Sequence, residues 1–441
     1  MAGFEGADHC NVDGLPLDMV GTTGHAARLD DDYRALAARG VRVVRESLGW
    51  RLCEPAGGGK FNFERAVRMA QAASDNRMQV LWTLMHYGMP PDANLMEDAF
   101  CDRFADFACA AARALAPHLD ACQEPVFTPI NEISFLAWAA CETNLIHPHV
   151  GNRNDPRHVP LPDGYVVKCR LVRACLLAMA AIRAELPSAR FLHVDPLVHV
   201  VAPRDATAEL AAEAARFREF QWQTWDLLCG RLEPELGGHP AALDLLGINH
   251  YPTAQWEFAT GATLPWGPEE PADERRVPLA GLLQEAWQRY RRPILIAETG
   301  HCDDQRANWL RWVAQETRAA LAGGVEVAGV CLYPIVDRPD WNDATDWHRC
   351  GLWDATSGAE RMPVGPPGRH CCVPLDETLA LCIAEGPEAY SQPAVEPPSI
   401  SPPGTSPVRD MSAVAAPPAV ISPTVIFAST DASSNLMSAL P

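Results

Sequence analysis

The 441-residue chain is 48% hydrophobic and 21% charged, enough apolar material for a large core, which excludes global disorder. Its 36 Lys and Arg stand against 56 Asp and Glu, a net charge of −20; no segment gathers the basic face that a phosphate backbone requires, so nucleic acid is not an expected partner. No apolar run approaches the roughly 20 residues of a membrane-spanning helix, and the acidic start MAGFEGADHCNVDG lacks both the basic and the apolar stretch of a secretion signal, so no membrane partner and a cytoplasmic location are expected.

In chain order, β-rich runs fall at Gly3–Ala7, Val41–Leu48, Gln79–Met85, Pro125–Ile130, Arg190–Val194, Leu243–Asn249, Pro293–Ala297 and Ala328–Tyr333. Between them lie stretches with helical periodicity, among them Asp30–Arg39, Ala99–Ala116, Val166–Glu185, Thr207–Leu228 and Gln305–Ala322. Eight strands, each followed by a helix, describe a (β/α)8 (TIM) barrel of the α/β class. The competing doubly wound sheet lacks its dinucleotide signature, because no GxGxxG follows the first strand. One catalytic domain is expected over residues 1–385. Residues 386–441 hold 11 prolines in 56 positions and only five charges; such a segment cannot bury enough apolar area to offset its ordering entropy and is expected to be a disordered tail. The 15 cysteines are scattered singly apart from the adjacent Cys371–Cys372, too close for an ordinary disulfide; without a CxxC pair they read as reduced thiols.

A barrel carries its chemistry at the C-terminal strand ends and the loops that follow. The polar residues there are Arg45 after strand two, His86 after three, Asn131 and Glu132 after four, Asn249 and Tyr251 after six, Glu298 after seven, and Asp337, Asp340 and Trp341 after eight. Glu132 and Glu298 end nearly apolar runs, PVFTPINE and PILIAETG. Two carboxylates across a cleft can cleave a glycosidic bond, one protonated to donate to the leaving oxygen, the other ionised to meet the anomeric carbon. Asn131 could bond a sugar 2-hydroxyl, and Trp and Tyr at the mouth could stack on a sugar ring. Other clusters are weaker. His193, Asp195 and His199 are one; strand alternation places positions 193, 195, 197 and 199 on one side, where a core role is favoured over a metal site. His147, His149 and His158 fall in a Pro/Asn/Arg-rich stretch, Ile146–Pro162, expected to be an exposed loop near the substrate entrance.

From Gly3 to Asp354 the chain resembles, segment by segment, the retaining β-glycosidases of glycoside hydrolase family 1. RESLGW (Arg45–Trp50), with Pro55 and Phe61–Asn62, is similar to RFSxxWxRxxP…G…N. TLMHYGMP (Thr83–Pro90) is similar to TLxHWDLP, TPINE (Thr128–Glu132) to TxNE, GINHY (Gly247–Tyr251) to GLNYY, and IAETG (Ile296–Gly300) to ITENG. YPIVDRPDW (Tyr333–Trp341) resembles WSLxDNFEW, and CGLWD (Cys350–Asp354) the closing FGLxxVD. The resemblance implies a retaining β-O-glycoside hydrolase of β-glucosidase type acting on a carbohydrate or glycoside substrate without cofactor or metal. Glu132 would be the acid/base and Glu298 the nucleophile. Arg45 and Tyr251 would hold the nucleophile as a carboxylate, since a nearby cation favours that form; His86, Asn131 and Asn249 would line the sugar site, Tyr333 would lie under the sugar, and Asp340 with Trp341 would meet its far edge. The alternatives are a carbohydrate-binding barrel that does not turn over, a transglycosylating one, or a barrel enzyme of another class using the same glutamates. The departures lie in sugar recognition: Tyr87 stands where the family has Trp, Asp340 where it has Glu, and Asp8 and His9 lie where its first-strand Gln is expected. Tyr333–Pro334 replaces Trp-Ser, and a cis bond is expected there because proline tolerates it.

Overall fold

The computed structural model describes residues 1–120, 123–143, 145–146, 164–267 and 271–353. Eight parallel strands close into a barrel: β1 (Ala2–Gly3), β2 (Val43–Ser47), β3 (Gln79–Met85), β4 (Val126–Ile130), β5 (Arg190–Pro196), β6 (Leu245–Asn249), β7 (Ile294–Thr299) and β8 (Val327–Leu332), each paired with its neighbours in chain order and β8 with β1. The helices α1 (Leu29–Ala38), α2 (Glu64–Asp75), α3 (Ala99–Leu115), α4 (Ile133–Glu142), α5 (Gly164–Glu185), α6 (Ala208–Glu219), α7 (Gln223–Leu228), α8 (Leu279–Tyr290) and α9 (Arg306–Ala322) follow the strands in turn. The expected (β/α)8 barrel is therefore present. The helix expected after β8, the loop histidines His147, His149 and His158, the end of the CGLWD segment and the 386–441 tail lie outside the described residues.

Side-chain alternation divides each strand between two cores. Leu81, Leu192, Val194, Leu295 and Ala297 fill the barrel interior, with Val43, Val126 and Leu245 packed against them. The outward residues, such as Phe127, Phe191, Ile248 and Ile296, join the larger core between strands and helices. α3 shows why its sequence is helical: Phe100, Phe104, Phe107, Ala108, Ala111 and Leu115 are buried at three- and four-residue spacing. Its aromatic residues close on Trp50, with ring centroids 5.1 to 5.8 Å apart.

Most strand ends fall within one or two residues of the expected positions; three larger departures arise where tertiary contacts override local pattern. The first strand occupies Ala2–Gly3 instead of Gly3–Ala7, since Glu5 and Asp8 turn into buried polar contacts. The expected helix Thr207–Leu228 is two, α6 and α7, separated by a 3-10 turn at Phe220–Trp222. His199 does not share a strand with His193 and Asp195: β5 stops at Pro196, and His199–Val201 pairs separately with Gln255–Glu257. No helix among the described residues is long and apolar enough to cross a membrane.

Candidate active site

At the C-terminal mouth of the barrel the structure brings Arg45, Asn131, Glu132, Asn249, Tyr251 and Glu298 into one hydrogen-bonded network. Arg45, inward-facing on β2, donates through Nη1 to Glu298 Oε1, and its Nη2 donates to Asn131 Oδ1 at 2.6 Å. Tyr251 OH donates to Glu298 Oε2 at 2.9 Å. Asn131 Nδ2 donates to His86 Nε2 and to Tyr87 OH, both at 3.1 Å. Tyr87 OH in turn donates to Glu132 Oε2 at 2.6 Å, and Asn249 Nδ2 donates to Glu132 Oε1 at 2.8 Å. Each glutamate thus has its own pair of donors, and the chain Arg45–Asn131–Tyr87 joins the two.

Each glutamate reaches the pocket through a local irregularity. In β7, Leu295 and Ala297 face the interior, so strict alternation would turn Glu298 outward. The pairing with β6 slips between Ile248↔Ile296 and Asn249↔Glu298, and this shift returns Glu298 to the pocket, the usual effect of such an irregularity. Glu132 sits at φ 41° and ψ 66° as the N-cap of α4. That left-handed conformation costs a non-glycine residue on the order of 1–3 kcal/mol; here it aims the carboxyl away from the helix axis. Two glycines permit close approach beneath them. A Cβ on Gly3 would meet Tyr333 Cδ2 at 2.5 Å, and one on Gly300 would meet the Tyr333 carbonyl at 2.6 Å.

The charges are disposed asymmetrically. Burial, and then the neighbouring Glu298 carboxylate, push the Glu132 carboxyl up to about 8, against the opposing bonds from Tyr87 and Asn249. Glu298 instead faces the permanent Arg45 cation, whose own pKa is raised despite burial by the Glu298 charge. Burial, with Arg45 second, holds His86 well below its ordinary value, so it is neutral and accepts from Asn131.

The strand-eight residues divide. The Tyr333–Pro334 bond is cis, and the Tyr333 ring lies 5.5 Å under the Arg45 guanidinium. Its hydroxyl accepts from Gly6 N and donates to Glu5 Oε1, each at 3.1 Å, so it is engaged within the protein. Trp341 contacts His9, Tyr87 and Phe135 with ring centroids 4.8, 6.0 and 6.3 Å away. Asp340 is held in its own loop: it accepts from Asn342 N at 2.7 Å and faces His348 at 3.4 Å. Asp337 accepts from Gly351 N at 2.7 Å.

Two residues here are not marked as site groups by the sequence. Glu5 is a third buried carboxylate, facing Arg338 at 3.1 Å; burial raises its pKa most, and Arg338 opposes. The available signal is a single charge flanked by small and apolar residues in MAGFEGA. Phe135 lies on α4, one turn beyond the network, and nothing local marks it. His9 is buried between Tyr87 and Trp341, and both its ring nitrogens and Trp341 Nε1 lack a hydrogen-bond partner. Burial first, and Arg51 second, depress His9 to about 3, which keeps it neutral. His193 turns away, with Nε2 2.9 Å from the Ala242 carbonyl. Among the described residues no group of three or more His, Cys, Asp or Glu is placed to hold a metal ion.

A closed eight-stranded barrel with paired glutamates at the ends of β4 and β7 defines the architectural class. No family model and no curated protein sequence matches the chain. Solved structures share its fold. The AHE enzyme from Alicyclobacillus herbarius superposes with a TM-score of 0.62 at 18% identity, covering 82% of this chain and 88% of that one. A β-glucosidase from Thermotoga maritima, in complex with glucoimidazole, gives 0.57 at 15% identity, covering 75% and 82%. Fpglu1 from Fervidobacterium pennivoraus gives 0.62 at 15% identity, covering 82% and 84%. At these identities the likeness is one of fold: this chain and those structures share the (β/α)8 barrel.

Proposed function

We propose that the protein is a retaining glycoside hydrolase that cleaves a β-O-glycosidic bond by double displacement, β-glucosidase-like in type. The observation that carries this reading is the asymmetric pair: Glu298 bonded by Arg45 and Tyr251, Glu132 pushed towards its protonated form. In the first step Glu298 attacks the anomeric carbon as the bond to the leaving oxygen breaks, and the Glu132 proton passes to that oxygen. In the second, Glu132, now ionised, takes a proton from water, whose oxygen displaces Glu298 and completes the hydrolysis. Neither step calls on a metal or organic cofactor. Asn131 and His86 line the sugar side, Asn249 orients the acid, Tyr333 forms the floor, and Trp341 closes the far edge with Asp340 at its rim. The β-glucosidase among the structural neighbours supports a carbohydrate substrate.

The test is a panel of nitrophenyl β-glycosides combined with a 2-deoxy-2-fluoro glycoside bearing an activated leaving group. Turnover of the panel, with covalent labelling of the peptide that carries Glu298, is expected. Replacing Glu298 with Ala should abolish turnover. Replacing Glu132 with Ala should cost about 10²–10⁴-fold on substrates whose leaving group needs a proton, and far less in the first step for activated ones. Equal loss on both classes would remove Glu132 from the acid role, and turnover of none would leave the binding barrel as the better reading.

A further inference from the structure

Asp195 is fully buried on β5, and the mechanism above does not use it. It faces outward with His193, since Leu192 and Val194 fill the barrel interior. There it meets the first turn of α4, the helix that starts at Glu132. Oδ1 accepts from Ser134 N at 3.0 Å, and Oδ2 accepts from Ser134 Oγ. Ser134 Oγ lies 3.0 Å from Thr224 Oγ1 on α7.

The first amides of a helix need acceptors from outside it, ordinarily the N-cap side chain. Here the N-cap residue is Glu132 itself, and its side chain makes no cap bond because it is turned into the pocket. Asp195 supplies the missing acceptor from the adjacent strand. The backbone couples the same pieces: Glu132 N donates to Val194 O at 3.0 Å, and Leu136 N donates to Glu132 O at 2.9 Å. Glu132 is thereby gripped on one side by β5 and on the other by a helix whose first turn β5 also caps.

We propose that Asp195 is a positioning residue for Glu132: by capping α4 from the neighbouring strand it holds the left-handed turn that aims Glu132 into the pocket. The proposal rests on Glu132 being the acid. The charges around the two groups agree with it. Burial raises Glu132 most, Glu298 and Asp195 add to it, and the hydroxyl of Tyr87 and the amide of Asn249 oppose; the hydrogen-bond path from Arg45 to it runs through Asn131 and Tyr87. Burial raises Asp195 itself, and the Lys168 ammonium of α5 first, then the hydroxyls of Ser134 and Thr224, oppose that rise; Lys168 also donates to Gln223 Oε1 at 2.8 Å.

Asp195→Asn removes the charge but keeps an oxygen that can accept from Ser134 N; Asp195→Ala removes both. The Glu132 carboxyl is titrated by difference infrared spectroscopy, its band assigned with Glu132→Gln, and kcat/KM is measured on aryl β-glycosides of graded leaving-group acidity. In Asp195→Asn the Glu132 titration should move down, because a charge that opposes its ionisation is gone. In Asp195→Ala, kcat/KM on a poor leaving group should fall about tenfold or more, while a dinitrophenyl glycoside changes less than about threefold. An unmoved titration in Asp195→Asn, or equal loss on both substrates in Asp195→Ala, overturns the proposal. The infrared titration needs no turnover, so a wild-type chain inactive on every glycoside would count against the hydrolase reading and leave this test standing.

Discussion

Tyr87 shows how one side chain can redirect a site. It stands where the resembled family has tryptophan, and it sits at φ 84°, a conformation that brings its hydroxyl onto Glu132. A bond donated to a carboxylate favours the ionised form, so Tyr87 works against the rise that burial and Glu298 impose. With Glu132 at about 8, kcat/KM on a substrate with a poor leaving group should fall as pH rises through about 8, where the acid loses its proton. Tyr87→Phe should move that alkaline limb to higher pH, since the proton is then held longer; a pH–rate profile reads the direction, and a limb moving down would contradict the assignment. His9 makes a second case. Its unpartnered, neutral ring can both donate to and accept from a sugar hydroxyl, and a lost hydrogen bond is typically worth about 0.5–1.5 kcal/mol. His9→Ala should therefore raise KM about two- to tenfold with kcat little changed, as steady-state kinetics would show.

At the scale of elements, a buried polar cluster joins the entry of α1 to β2. His25 Nδ1 lies 2.7 Å from Asp32 and Nε2 2.9 Å from Glu46, while Tyr33 donates to Glu46 at 2.6 Å. The Phe4 ring stacks on His25. Burial disfavours the His25 charge, but Glu46 and Asp32 together outweigh it and leave its pKa raised. A raised histidine contributes its full stability below the unfolded value, near 6.5, and loses it as pH rises through the folded one. His25→Gln should cost about 3 kcal/mol near pH 6, and the gap from wild type should shrink towards pH 9. Denaturant titrations at the two pH values check the sign; a gap that widened with pH would refute it. The same cluster lies behind β2, so it also steadies the strand that carries Arg45.

For the whole molecule, barrel closure is complete within residues 1–353, through pairing of β1 with both β2 and β8. The proline-rich composition of 386–441 argues that this segment adds no core, so a chain ending at residue 385 should keep its Tm within about 2 °C and any glycosidase rate nearly unchanged. A calorimetric scan that showed a large drop would make the segment part of the fold. The order of strands and helices was legible in the sequence because burial imposes period two on strands and three to four on helices, wherever the partners lie. Strand-end placement likewise picked out Glu132, Glu298, Arg45, Asn131 and Tyr251, since apolar packing alone does not place a charge or an amide at the close of an apolar run. What local pattern could not hold is whatever depends on a distant partner. The slip that turns Glu298 inward is a property of the β6–β7 pairing, the length of the first strand depends on where Glu5 and Asp8 find partners, and the split of Thr207–Leu228 reflects packing of Trp222 and Trp225. Asp195 states the division most plainly: its neighbours along the chain left only a choice between core and metal, and its place over the first turn of α4 arises from two segments 61 residues apart. Periodicity is written along the chain and survives without the fold; hydrogen-bond partners across it exist only once the barrel has closed.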